Sequence, residues 1–176
     1  MDTPAATSPL AHDTRPVGGF FPLGAAIEGG ILIGRFFLEV KPFALIAAPK
    51  QEGEFPLAAW HKATRRIEGA LSDFDGLANT RAMAEDGSPL AVKILGLKIA
   101  GFEDWYLPSR GELLLAWSAR AAMPKGEEFE DNWYWSSTQY AGDSDYAWFQ
   151  SFDGGYQDYW GKVSKFMARA VRRVSI

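Results

Sequence analysis

Carboxylates and aromatic rings are the chemistry-bearing side chains that this sequence concentrates, and they fall in one stretch. From Gly126 to Gly161 there is no lysine or arginine, and eight Asp or Glu side chains are present. Among them lie four of the seven tryptophans (Trp133, Trp135, Trp148, Trp160) and five of the six tyrosines (Tyr134, Tyr140, Tyr146, Tyr156, Tyr159). So many rings, set among Gly, Ser, Asp and Gln, exceed what one short stretch can bury. Half-wet rings offer large, rigid contact area at low entropic cost, so recognition is the first chemistry to consider. Nucleophilic catalysis lacks its parts. There is no cysteine, and the only histidines are His12 and His61, so Ser136, Ser137 and Thr138 have no evident base. An enzyme is not expected.

The whole chain narrows the classes further. With 176 residues, 47% hydrophobic and 23% charged, it suits one soluble domain plus an arm. A net charge of −4 argues against nucleic acid, which needs a basic face to displace counterions. Five basic residues after Gly161 (Lys162, Lys165, Arg169, Arg172, Arg173) offset the acidic stretch before them. Without cysteine there are no disulfides or thiolate zinc sites, which points to folding in a reducing cytoplasm. Met1 to Arg15 lacks the basic and apolar regions of a signal peptide, and Phe20 to Gly34 is too short to span a bilayer, so no membrane insertion is expected.

The elements that must position these side chains can be read in order. Residues 1–19 form a polar arm rich in Pro, Thr and Ala, flexible or docked on a partner. Ile31 to Val40 and Phe43 to Ala48 read as paired strands turning at Lys41-Pro42, within an assembly segment over 20–52. Pro56 opens a predicted helix to about Gly69, with Trp60, Ala63, Ile67 and Leu71 on one face and His61 partly exposed. Ser72 to Gly76 is a turn capping a short helix through Ala84, and Leu90 to Ile99 is a further helix or strand. Ser109 caps a helix over Arg110 to Ala122, with Glu112 as capping-box partner and Leu113, Leu114 and Trp117 as its apolar face. Beyond Gly126 only short strands and turns fit. Helices followed by a strand meander imply an α+β domain.

Two segments of this layout resemble a known signature: Gly101-Phe-Glu-Asp-Trp-Tyr-Leu-Pro-Ser-Arg-Gly-Glu-Leu113 and Trp133-Tyr-Trp-Ser-Ser-Thr138. Tyr146-Ala147-Trp148, Phe152, Gly155, Lys162 and Arg169-Ala-Val-Arg-Arg173 follow in the same order. Together, over roughly residues 53–176, they resemble the family named after the C-terminal domain of the Legionella collagen-like adhesin, found in bacterial surface proteins and phage tail-associated proteins. The resemblance implies a C-type-lectin-like fold, preceded here by the arm and hairpin. Its frame falls on Trp105, Leu107, Pro108, Glu112, Trp135, Ser136, Ser137, Trp148, Phe152, Gly155, Arg169 and Arg172. The arginines are expected to pair with acidic residues and aromatic faces of the meander.

Alternation then separates frame from surface. Trp148, Gln150 and Phe152 are assigned inward, and Phe149, Ser151 and Asp153 outward. With Tyr156, Asp158, Tyr159 and Trp160 in the next loop, the outward set forms the expected ligand-binding face. Rings would stack on sugars or anchor a protein interface. No cofactor is expected, with calcium on Asp143, Asp145, Asp153 and Asp158 as the alternative. The leading function is a non-enzymatic module of a phage tail or virion, assembled in the host cytoplasm. It would bind a host surface glycan or protein receptor and dock on other tail proteins through residues 1–50, with a homo-oligomer permitted. A structural decoration or tail-assembly protein is the alternative. A relative of formylglycine-generating oxidases is the remote one, since their copper-binding cysteine pair is absent.

Overall fold

The computed structural model describes residues 21–176; the N-terminal arm of residues 1–19, with His12, lies outside the described residues. Among these residues two sheets and three main helices make an α+β domain. The first sheet has the order β1 (Ala26–Ile27), β2 (Gly30–Leu38), β3 (Lys41–Ala47), β9 (Val171–Ser175). The second has the order β4 (Glu54–Ala59), β8 (Lys165–Arg169), β5 (Trp133–Gln139), β6 (Tyr146–Ser151), β7 (Gln157–Gly161). A single turn, α1 (Lys50–Gly53), precedes β4, and α2 (Gly76–Glu85), α3 (Pro89–Leu95) and α4 (Arg110–Ala119) lie between β4 and β5. Among the described residues no helix is long and apolar enough to cross a membrane.

The β2–β3 hairpin forms, but its turn is Glu39-Val40, with Glu39 at φ +56°, and Lys41-Pro42 already belongs to β3. On its other side β3 pairs with β9, Phe43 opposite Ser175 and Ala47 opposite Val171, so the hairpin and the last strand share one sheet.

The predicted helix from Pro56 does not form. Residues 54–59 are strand β4 instead, paired with β8 through Phe55–Ala168 and Ala58–Phe166, and only Glu68–Ala70 makes a helical turn. Trp60 and Ile67 are buried as the helical spacing suggests, but tertiary contacts bury them. The Trp60 indole N–H donates to Ser136 O at 2.7 Å. Sheet pairing outweighs a periodicity shared by only a few side chains.

The other helices start where local capping dictates. Asp75 accepts from Ala78 N at the start of α2, and Ser88 from Ala91 N at the start of α3. Ser109 and Glu112 form a reciprocal capping box on α4. The α-helix stops at Ala119, followed by one 3-10 turn to Ala122. Leu114, expected on the apolar face, is exposed; the buried row is Leu113, Ala116 and Ala119.

Two apolar clusters fill the domain, and the extended segment before α4 runs between them. Trp105 and Leu107 enter one cluster while Tyr106 enters the other. Tyr106 also exchanges both main-chain hydrogen bonds with Val171, at 2.8 Å each. In β5, Trp135 and Tyr134 divide in the same way, and every residue from Tyr134 to Gln139 is buried.

Candidate ligand-recognition face

Strand β6 fixes the register of the aromatic stretch. It pairs with β5 (Trp135 opposite Phe149) and with β7 (Trp148 opposite Tyr159, Ala147 opposite Trp160). Cross-strand partners project to the same side, so this register decides which rings share a face.

The inward and outward assignment along β6 is reversed at its centre. Phe149, expected outward, is 2% exposed and stacks on Trp133 at 4.8 Å within the cluster that holds Trp135. Trp148, expected inward, lies on the opposite side, half-buried under the Arg110 guanidinium at 3.7 Å. Ser151 is also buried rather than outward. Its hydroxyl donates to Asp153 and accepts from Gly154 N at 3.0 Å, which pins the turn after β6. That hydroxyl holds the Asp153 carboxyl below the usual carboxylate range. The physical cause of the reversal is that β6 is an interior strand with both faces covered, one by the Trp133–Phe166 cluster and the other by α4. Polar alternation then carries no information.

Gln150 is fully buried, its amide donating to Ser151 O at 2.9 Å and Tyr156 O at 3.1 Å. Phe152 stacks on Phe129 at 4.4 Å. Gly155 sits at φ +73°, where an added Cβ would come within 2.3 Å of the Trp117 ring, so this turn admits no side chain.

Asp153 stays exposed, as expected, in the turn after β6, and the other exposed members divide over the two sides of β7. Tyr156, Asp158 and Trp160 share one side: Tyr156 meets the edge of Phe149 at 6.3 Å, Asp158 is opposite Phe149, and Trp160 leans on Trp133 at 6.2 Å. Tyr156 and Trp160 are 48% and 51% exposed. Tyr159 is on the reverse side, its ring parallel to Tyr140 at 3.9 Å and edge-on to Tyr146 and Trp148. Its ring faces are thus largely taken by neighbours.

Sequence alternation missed three supports of the reverse side: Tyr140, Tyr146 and Arg110. Arg110 Nε donates to Gln157 Oε1 at 2.9 Å, and Gln157 Nε2 donates back to Arg110 O at 2.8 Å. This clamp ties the first residue of α4 to β7. The two-residue spacing of Tyr146 and Trp148 was the available signal for their shared side; no local pattern announces Arg110.

The hydroxyls and bases are committed to structure. Ser136 Oγ donates to Trp148 O at 2.9 Å, Ser137 Oγ lies 3.5 Å from Gly76 O, and Thr138 Oγ1 donates to Ser72 O at 2.8 Å. His61 is buried in a loop rather than partly exposed on a helix, because Nδ1 accepts from Ala63 N and Nε2 lies 3.3 Å from Asp86. Burial pushes its pKa down. Lys162 is fully buried at the β7–β8 turn, donating to Gln139 Oε1 at 2.7 Å and Arg65 O at 2.9 Å, and burial pushes it down to about 8.

The two frame arginines fall on different strands in different sheets, not on one final strand. Arg169 pairs with Glu127 at 2.8 Å and Glu54 at 3.8 Å. Arg172 is bidentate on Asp104 at 2.7 and 3.0 Å, reaches Glu28 and covers the Phe102 ring at 3.9 Å. Its partners come from upstream of the meander, not from within it. Among the described residues no three His, Asp or Glu side chains converge as a metal site. Asp143 and Asp153 accept from main-chain N–H groups of their own turns, and Asp158 accepts from Tyr159 N within β7.

No curated protein matches this sequence. The family model of the Lcl C-terminal domain matches residues 58–172, a span holding the Trp105–Glu112 junction, the Trp133–Thr138 strand, the β6–β7 rings and both arginines, and the chain belongs to that family.

Proposed function

We propose that this protein is a non-enzymatic, adhesin-like recognition module with a C-type-lectin-like fold. It is carried on a phage tail or virion, and it contacts a host surface glycan through the exposed side of β7. Membership in a family built on an adhesin domain supports the general class. The observation that carries the proposal is the row Tyr156, Asp158, Trp160. Two half-exposed rings flank one carboxylate at two-residue spacing, Tyr156 just before the edge strand β7 and Asp158 and Trp160 on it, backed by the Trp133–Phe149 stack. Successive members of such a row are about 7 Å apart, the scale of one sugar ring. The rings suit the apolar face of a sugar, and the carboxylate suits its hydroxyls. The backing holds the rings before binding, so little freedom is lost on contact. Phe149 and Ser151 belong to the support, and Tyr159 stiffens the strand from behind.

Docking to other tail proteins falls to residues 1–50. The end of the hairpin contributes Phe37 from β2 and Val40 from the turn, both exposed apolar side chains. Such side chains suit a protein interface.

Glycan-array and whole-cell binding of Tyr156→Ala, Trp160→Ala and Tyr159→Ala test the assignment. Loss of either exposed ring is expected to weaken binding roughly tenfold or more, as for aromatic anchors generally. Tyr159→Ala should act mainly through stability. Unchanged host binding in both Tyr156→Ala and Trp160→Ala would remove the site. Misassembled particles in those two variants would favour a structural role for the face instead.

A further inference from the structure

At the opposite edge of the five-stranded sheet, β4 and the first turn of α3 enclose a cleft of about 480 Å³. Its walls are apolar, with Phe55 and Pro56 from the strand and Pro89 and Leu90 from the helix, and among the described residues the charged side chains lining it are Lys62 and Lys93. Among the described residues no carboxylate lines it, although the chain carries 22 acidic against 18 basic residues. The local charge is therefore opposite to that of the whole molecule. The Lys93 ammonium stands 4.8 Å from the Phe55 ring centroid, over the cleft wall. Both lysines are exposed, and among the described residues neither forms an ion pair.

The cleft falls in the size range of small-ligand sites. Apolar walls bind an apolar body, and two unpaired ammoniums beside them favour an anionic group at its end. Strand addition is blocked, because Pro56 has no N–H to offer and Leu57, at φ +52°, breaks the edge. Recognition here must run through side chains. We propose that the β4–α3 cleft binds an amphipathic carboxylate of small-molecule size. Its aryl or alkyl body lies against Phe55, Pro56, Pro89 and Leu90, and its carboxylate lies between Lys62 and Lys93. This site is separate from the β7 face and does not depend on its assignment.

Titration of the full-length, isotope-labelled chain with 4-phenylbutyrate, followed by amide chemical shifts, tests the proposal. Saturable shifts are expected at Ala58, Ala59, Leu90 and Lys93. The neutral 4-phenylbutanol and the bodiless acetate should each bind at least about tenfold more weakly, the scale of a charge-assisted contact. Lys62→Gln with Lys93→Gln should reduce phenylbutyrate to the level of the alcohol, and both side chains are exposed, so the fold is preserved. Trp160→Ala should leave the titration unchanged. Equal binding of acid and alcohol, absence of saturation, or loss of binding in Trp160→Ala would each overturn the assignment.

Discussion

Among the described residues the outermost strands of the five-stranded sheet, β4 and β7, each lack a neighbour on one side, and the two edges are protected by different means. In β4 the main chain itself is made unfit for pairing. Pro56 removes a donor, Leu57 adopts a left-handed conformation, and a bulge between Phe55 and Ala58 breaks the register. In β7 the register stays regular across all five residues paired with β6, and protection falls to side chains. The Asp158 carboxylate covers Tyr159 N at 2.8 Å, and rings project on both sides. An edge that must stay straight to present a row of side chains cannot use a bulge. β4 faces no such demand, and its distortion helps to shape a cleft. One sheet thus presents two kinds of surface: an aromatic row on a rigid strand and an apolar hollow beside a broken one.

The sharpest way to break this contrast is to remove the support of β7. Phe149 is 2% exposed and packed among Trp133, Phe166 and Tyr156. Phe149→Ala is expected to destabilise the domain by about 3–4 kcal/mol, as a large cavity in a packed core does. Trp160→Ala, half in solvent, should cost below about 1 kcal/mol. Urea midpoints at constant slope distinguish the two. A loss for Phe149→Ala no larger than that for Trp160→Ala would mean that β7 does not lean on this cluster.

The difference between the edges also marks what the amino-acid sequence discloses. The α4 start was legible because Ser109 and Glu112 satisfy each other within one turn, and the β2–β3 pair because its two apolar runs adjoin. β4 was misread as helix because its partner β8 lies far downstream, while Trp60, Ala63 and Ile67 mimic a helical stripe nearby. The family motifs located the region of the candidate face, but not its sides. The cover on Trp148 comes from Arg110 in a distant helix, and the cover on Phe149 comes from Trp133 and Phe166 on strands beyond its own. Alternation reports which face is wet only when one face is wet.

A second test separates the edges by pH. Burial pushes the Glu112 carboxyl up to about 7, against the opposing hydrogen bonds from Tyr106 and Ser109. The folded chain then keeps a proton that the unfolded chain releases near 4.5, so the unfolded state binds fewer protons between those values. Stability contributed by this group is complete below that window and is lost as pH rises through it, by roughly 3 kcal/mol in all. Glu112→Gln removes the titration. Because His61 shifts in the opposite sense, the quantity to measure is the stability difference between wild type and Glu112→Gln at each pH. Wild type should lose ground to the variant from pH 5 to pH 8. Amide exchange should quicken at Arg110 and Gln157, which the α4 start clamps together, before it quickens in β4. A difference that stays flat with pH would show that Glu112 is already ionised when folded.

The smallest expected effect lies at the other edge. Leu57 is exposed and sits at φ +52°, a conformation that costs a branched side chain about 1 kcal/mol and costs glycine almost nothing. Leu57→Gly relieves that strain but gives the unfolded chain more freedom, which offsets much of the gain. The net change should lie between zero and about +1 kcal/mol of stability, read from thermal midpoints. A marked loss of stability would mean that the Leu57 side chain is held by a contact rather than merely tolerated. Leu57→Gly with Pro56→Thr goes further, since it restores a donor and frees the local backbone. If β4 is kept unpaired by its main chain alone, this double variant should acquire concentration-dependent association while Trp160→Ala does not. Association would then appear at the edge that has no aromatic row, which separates protection by backbone from the proposed recognition by side chains.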